Sequence, residues 1–352
     1  MARANKFAED NGIRIPILMA PMAGACPASL SIAVANSGGM GACGVLTMDE
    51  DAIADWVGEM RAGSTGAFQL NTWIPDPAPV RNREHEAAVR AFLAHWGPAV
   101  PDDAADHPPP DFHAQCEAML AASPKAISSI MGLYPPDFVD RMKQRNIKWY
   151  ATVTTLAEAR EAEAAGADVL IAQGMEAGGH RGAFSADQAG TAMIGLFSLL
   201  PAVVDAVDIP VIATGGIADA RGVAAALLLG ASAVQIGTGL LRTPEAKIAP
   251  AWADAIGAAA PEGTQATRAF SGRLGRSVRT AYVEAASAKD APEPAPYPIQ
   301  RALTQAMRTK AAKSNTIEGM QAWAGQSARL SRNIPAGEVV QALWQGAQEW
   351  LG

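Results

Sequence analysis

The feature that most constrains this chain is a pattern repeated along it. A short apolar run stops on glycine, asparagine, threonine or proline, and a stretch with helical spacing follows. The runs cover residues 15–19, 40–45, 66–73, 126–132, 148–154, 168–174, 210–215 and 233–237. Runs that are apolar throughout, with no in–out alternation, suit strands buried on both faces of a parallel sheet. Several intervening segments carry helix punctuation. Residues 155–165 open on Thr155 and close on Gly166, and 219–229 open on Asp219 and close on Gly230, an N-cap and a C-terminal glycine in each case. Eight such units predict an α/β fold of the (β/α)8 TIM-barrel type. The alternative, a doubly wound sheet, would place GxGxxG after its first strand, and none follows residue 19.

Two stretches depart from the repeat. Residues 75–123 are too long for one helix and set proline-rich patches around a helical run at 83–96, which reads as an excursion over the barrel mouth. Residues 243–335 follow the eighth strand and read as an inserted, mainly helical subdomain, with a proline-rich segment at 291–298 and a helical run at 301–313. Val339, Val340, Leu343 and Trp344 then recur at helical spacing. The domain reading is a barrel over 1–242, the insert over 243–335 and a final barrel helix over 336–352.

Composition narrows the function classes. Hydrophobic residues make up 49% and charged residues 18%, a balance that supports a large core and argues against disorder. A net charge of −7 gives no reason to expect a nucleic-acid partner. Cys26, Cys43 and Cys116 have no CxxC spacing, so neither a disulfide framework nor a metal site is expected. The start of the chain lacks the apolar stretch of a secretory signal. The longest apolar stretch, 193–207, contains Pro201 and falls short of the roughly 18–20 residues of a membrane span. A cytoplasmic protein with no membrane partner is the expectation.

Barrels of this type bind ligands at the C-terminal ends of their strands. The seventh and eighth runs end in Gly215 and Gly216, and in Gln235, Ile236, Gly237 and Thr238. Free backbone N–H groups there, beside a helix start at Asp219, suit a phosphate. The sixth run ends in Gln173 and leads through Glu176, Gly178 and Gly179 to His180. This glycine-flanked histidine reads as loop-borne and mobile, with a pKa near ~6.5 that lets it take a proton at neutral pH. His85, His95, His107 and His113 all fall in the excursion and read as surface residues. Asn71, Thr72 and Gln173 offer amides and a hydroxyl to a ring edge of mixed donors and acceptors, or simply bond at strand ends. Ala20, Pro21 and Met22 would set backbone and a soft side chain beside such a ring. Glu176 either orients His180 or is solvated. Arg181, Arg242 and Lys310 are candidate anchors for a substrate carboxylate, with nothing to choose between them.

Taken together, several segments resemble the nitronate monooxygenase family, formerly called 2-nitropropane dioxygenases, and its bacterial members in particular. They are 20–24, 36–41, 176–182, 215–219, 235–238, 324–327 and 335–338. The resemblance implies FMN held without a covalent link. Its phosphate would lie against Gly215, Gly216, Gly237 and Thr238. Asn71, Gln173, Gly178 and Gln235 would meet the rest, with Ala20, Pro21, Met22, Gly179 and Ile236 in the same matching segments. His180 would be the catalytic base. The implied reaction oxidises alkyl nitronates such as propionate 3-nitronate, or nitroalkanes, with O2, giving a carbonyl product and nitrite without NAD(P)H. A homodimer is compatible with this reading. Residues 176–180 also resemble the flavin-dependent enoyl-ACP reductases, which use NAD(P)H, and that activity is the alternative.

Overall fold

All eight apolar runs become strands of one parallel sheet in the computed structural model, which describes Met1–Gly352. In chain order they are β1 (Ile17–Met19), β2 (Gly41–Gly44), β3 (Phe68–Trp73), β4 (Ala126–Ile130), β5 (Lys148–Val153) and β6 (Val169–Gln173). A two-residue strand, β7 (Gly179–His180), lies outside this sheet, and β8 (Val211–Thr214) and β9 (Ala233–Ile236) complete it. The order β1-β9-β8-β6-β5-β4-β3-β2 leaves β1 and β2 as its ends. A parallel bridge between Leu18 and Met40 brings those ends together, and the sheet is the predicted (β/α)8 barrel.

Strand alternation divides the barrel. Leu18, Tyr150, Ile171, Ile212 and Ala233 pack inside it against Phe7, Ala8 and Ile13. Helix α1 (Ala2–Asn11) thus plugs the N-terminal end, where the Tyr150 hydroxyl donates to Asn11 Oδ1 at 2.6 Å. The intervening residues Ile17, Met19, Leu170, Ala213, Val234 and Ile236 join the core beneath the helices. Both faces are dry, which is why these runs read as apolar throughout.

The helices follow as α2 (Ala28–Asn36), α3 (Glu50–Gly63), α4 (Arg83–Leu93), α5 (Phe112–Ala122), α6 (Pro136–Gln144), α7 (Leu156–Ala164), α8 (Leu196–Val204) and α9 (Ala220–Leu228). Thr155 caps α7 in a full capping box with Glu158, and Asp219 caps α9 by accepting from Gly222 N at 3.0 Å. Helix α5 packs on α3 and β3, the place of a barrel helix. It begins at its N-cap Asp111, inside the stretch 75–123.

After β9 come α10 (Pro250–Ala258), β10 (Thr264–Thr267), β11 (Gly275–Val278), α11 (Ala281–Ala285), α12 (Ile299–Leu303) and α13 (Gln305–Lys313). Val89 and Leu93 of α4 share one core with Phe270, Tyr282, Val283, Ile299, Leu303 and Met307. The two irregular stretches of the sequence are thus packed on each other. The last helix, α14 (Ala336–Leu351), closes the ring against α9 and α2. No helix is long and apolar enough to cross a membrane.

Candidate active site

A cavity of about 490 Å³ opens at the C-terminal ends of the strands, with walls from both barrel and insert. Strand parity decides which predicted residues reach it. Asn71, Gln173 and Gln235 point inward and line it, as does Trp73, two residues beyond Asn71. Thr72 points the other way, where its hydroxyl donates to Gln115 Oε1 at 2.9 Å. Ile236 likewise does not reach the cavity. It follows the inward Gln235, so its side chain lies in the helix-side core, while its carbonyl accepts from Ala20 N at 2.9 Å. Ala20, Pro21 and Met22 form one wall.

Hydrogen bonds show what the amides have left to offer. Asn71 spends its Nδ2 on Ser128 O and Ser128 Oγ, both at 3.0 Å, so Oδ1 remains as an acceptor. Gln235 Oε1 accepts from Gln69 Nε2 at 2.9 Å, so its own Nε2 remains as a donor. These orientations follow from the network. Gln173 is different: it donates to His180 O at 3.0 Å and accepts from Gly182 N at 2.8 Å. Its amide braces the histidine segment.

At another part of the wall Gly215 and Gly216 turn the chain at φ 108° and 70°, conformations that glycine reaches without strain. The N–H groups of Gly215, Gly216 and Gly237 find no acceptor within the chain. Thr238 Oγ1 accepts from Gly325 N at 3.0 Å, which leaves its proton to give away. Ser327 fixes the turn by donating to Gly216 O at 2.5 Å. Gly178 stands beside them, where a Cβ would fall 2.5 Å from Gly325 N. Unpaired N–H groups lining one cavity near a helix start are groups that can receive an anion.

His180 lines the same cavity but is not on a free loop. β7 pairs antiparallel with β11, His180 opposite Gly275 and Gly179 opposite Arg276, so the insert holds the histidine in a three-stranded sheet. Its Nε2 lies 2.7 Å from Ser271 Oγ, and that hydroxyl donates to Arg273 O at 3.2 Å. With the hydroxyl proton used there, Nε2–H donates to Ser271 and Nδ1 keeps the lone pair. Trp73 and Trp323 meet the ring edge-on, at centroid distances of 4.5 and 4.8 Å. Burial, then the charges of Arg301, Arg273 and Arg308, push its pKa down to about 3. The imidazole is therefore neutral at physiological pH.

That depression has a stability consequence. The folded-state pKa lies below the ordinary 6.5, so the unfolded chain takes up the proton first as pH falls. Stability contributed by neutral His180 is complete above pH 6.5 and is lost on acidification toward pH 3. The urea-unfolding free energy of the wild type is expected to fall more steeply across this window than that of His180→Asn. Parallel slopes would show that the imidazole is not held neutral by the fold.

Glu176 neither orients His180 nor is merely solvated: its carboxylate accepts from Leu196 N at 2.9 and 3.0 Å and caps α8. The three expected carboxylate anchors lie elsewhere. Arg181 is buried, donating to Gln173 O at 2.6 Å and Ala192 O at 2.9 Å. Arg242 donates to Ser331 O at 2.9 Å, and Lys310 sits on an outer groove of α13. The cations that do line the cavity include Arg301 and Arg308. These two, Ser271 and Trp323 all come from the insert, and no local sequence signal marks them. Trp73 was available from the parity of Asn71.

Comparison with known proteins gives the family. A sequence model of the family described as nitronate monooxygenase matches residues 6–346. A nitronate monooxygenase of Paraburkholderia phytofirmans is 37% identical over 343 residues, covering 94% of this chain and 92% of that protein. Among solved structures, a nitroalkane oxidase from Streptomyces ansochromogenes superposes with a TM-score of 0.88 at 32% identity, covering 97% of this chain and 98% of the other. FabK from Thermotoga maritima superposes with a TM-score of 0.76 at 26% identity, covering 98% and 96%. The match runs through barrel, insert and final helix alike, and the chain belongs to the nitronate monooxygenase family of enzymes.

Proposed function

We propose that this enzyme holds FMN in the cavity and uses it with O2 to oxidise alkyl nitronates to a carbonyl product and nitrite. The observation that carries the reading is the polarity of the cavity. It has N–H groups that can receive an anion at Gly215, Gly216 and Gly237, and a neutral imidazole under the influence of three guanidiniums. A cavity of about 490 Å³ is within the range of cofactor sites.

The residues present fit FMN. Gly215, Gly216, Gly237 and Thr238 would hold its phosphate. Asn71 Oδ1 and Gln235 Nε2, one acceptor and one donor, would meet the ring edge, with Gly178, Gly179 and the Ala20–Met22 wall beside it. Bound flavin supplies the electron acceptor that no side chain of this cavity provides. The chain's own part is to attract an anion, exclude water with Trp73 and Trp323, and move a proton at His180 Nδ1. A general base works best with a pKa near the working pH. An imidazole pushed to about 3 therefore favours a substrate that arrives already deprotonated, as a nitronate. A bound anion would offset the guanidiniums and restore some basicity for neutral nitroalkanes.

Anaerobic mixing tests the reading. Flavin absorbance near 450 nm is expected to bleach with propionate 3-nitronate and to persist with NADPH. Rapid bleaching by NADPH and none by the nitronate would move the activity to enoyl reduction. A protein that cannot be loaded with FMN would remove the basis for both.

A further inference from the structure

The insert side of the cavity carries two guanidiniums with no acidic partner. Arg301 lines the cavity, and only its carbonyl is engaged, by Thr304 Oγ1 at 3.2 Å and Arg308 Nη2 at 2.8 Å. Its guanidinium donates to no protein atom. Arg308, also on the wall, is pinned: Nε donates to Thr304 Oγ1 at 3.0 Å, Nη1 to Gln321 Oε1 at 3.1 Å, and Nη2 to Gln305 Oε1 at 2.7 Å as well as to Arg301 O. One N–H of Arg308 Nη1 is left over. Gln321, held by its oxygen, keeps a buried Nε2 with no partner. Arg273, the third cation near His180, already has Asp76 at 3.4 Å.

Both side chains are half-buried, cations taken partly out of water are normally paired, and these two repel each other. Burial pulls both guanidiniums below their ordinary range, and no carboxylate of the chain comes to their aid. A ligand that brings a negative charge would relieve both. We propose that Arg301, backed by Arg308 and Gln321 Nε2, is a specificity-determining receptor for a second anionic group on the substrate, a carboxylate on a short chain remote from the nitronate carbon.

A carboxylate fits because a free guanidinium fork pairs with it through two parallel hydrogen bonds. A short chain fits because Arg301 and His180 line one cavity of about 490 Å³, and Arg301 is the first of the charges that depress the imidazole. The approach is also basic on a chain of net charge −7: Thr309 lines both the cavity and an outer groove that carries Lys310 and Lys313.

The inference rests on the proposed oxidation of nitronates, and its test separates the two. The readout is the ratio of kcat/KM for propionate 3-nitronate to that for propyl 1-nitronate, whose tail ends in a methyl group. Arg301→Gln is expected to lower this ratio about 10- to 100-fold, the worth of a charge-assisted pair. Arg301→Lys should recover part of it by keeping the charge but not the fork. In parallel, succinate, an unreactive dianion of similar length, is titrated against the fluorescence of the cavity tryptophans. Its Kd is expected to rise about tenfold or more in Arg301→Gln on the same grounds. A ratio and a succinate Kd that both match wild type would overturn the receptor. If wild type oxidises neither nitronate but succinate binding still depends on Arg301, the oxidation reading fails and the anion receptor stands.

Discussion

Gly178→Ala is expected to lose its hold on FMN while its neighbour Gly179→Ala largely keeps it. A Cβ on Gly178 would lie 2.5 Å from Gly325 N, 2.6 Å from Ala324 C and 2.8 Å from Thr238 Oγ1. The first two are backbone atoms and cannot swing aside as a side chain can. Segment 324–325 must move, and it carries with it the 3.0 Å bond from Gly325 N to Thr238 Oγ1. Thr238 is one of the groups proposed to meet the phosphate. Overpacking of this kind costs about 1–3 kcal/mol. Felt entirely in binding, that is about 5- to 150-fold in the Kd for FMN. Gly179 has φ 74° but no atom within 4 Å of its would-be Cβ, so alanine there brings only backbone strain of about 1–2 kcal/mol. Titrating apo-protein into FMN and following flavin fluorescence separates the two. Equal Kd values for both variants would mean that the close approach at Gly178 plays no part in shaping the cofactor site.

The contrast between these glycines shows what a sequence carries and what it does not. Both stand in one conspicuous run before His180, and nothing local tells them apart. One is crowded by residues 324–325, far along the chain, and the other faces open space. The barrel was legible because its cause is local. A strand dry on both faces must be apolar throughout, and Thr155, Asp219, Gly166 and Gly230 punctuate helices through their own side chains and φ angles. Strand parity was equally available. Given that Gln235 faces the cavity, Ile236 had to face the helices, as Thr72 had to once Asn71 faced inward.

The chemistry of the far wall depends on a different order of interaction. Ser271 reaches His180 only because β11 pairs with β7, and that register is set by the docking of the whole insert. The docking in turn rests on a core shared between α4 and residues 270–307, two stretches that the repeat pattern treats as unrelated. Arg301 and Arg308 follow from it. On the chain they look like ordinary charges of a surface helix. Only their position, inside a wall with no carboxylate, gives them meaning.

The same wall sharpens the expectation for His180→Asn. Asparagine keeps a polar side chain in the space between Trp73 and Trp323 but cannot take up a proton. The variant is expected to retain FMN, since the side chain replaced is not one of those proposed to hold the cofactor and its backbone is fixed by β11. Its kcat/KM for neutral nitroethane should fall about 100-fold, the lower end of what a positioned general base contributes. The lower end applies because the surroundings hold this imidazole far below its ordinary basicity. For the preformed nitronate of the same compound the fall should stay under about tenfold, since no carbon-bound proton has to be removed. Ser271→Ala offers the complementary measurement. Without the partner at Nε2 the tautomer is no longer selected, so the pH dependence on neutral nitroethane should shift while FMN binding does not. If His180→Asn instead slowed both substrates equally, the imidazole would be acting on the bound anion itself, and proton removal from neutral nitroalkanes would have to be assigned to solvent before binding.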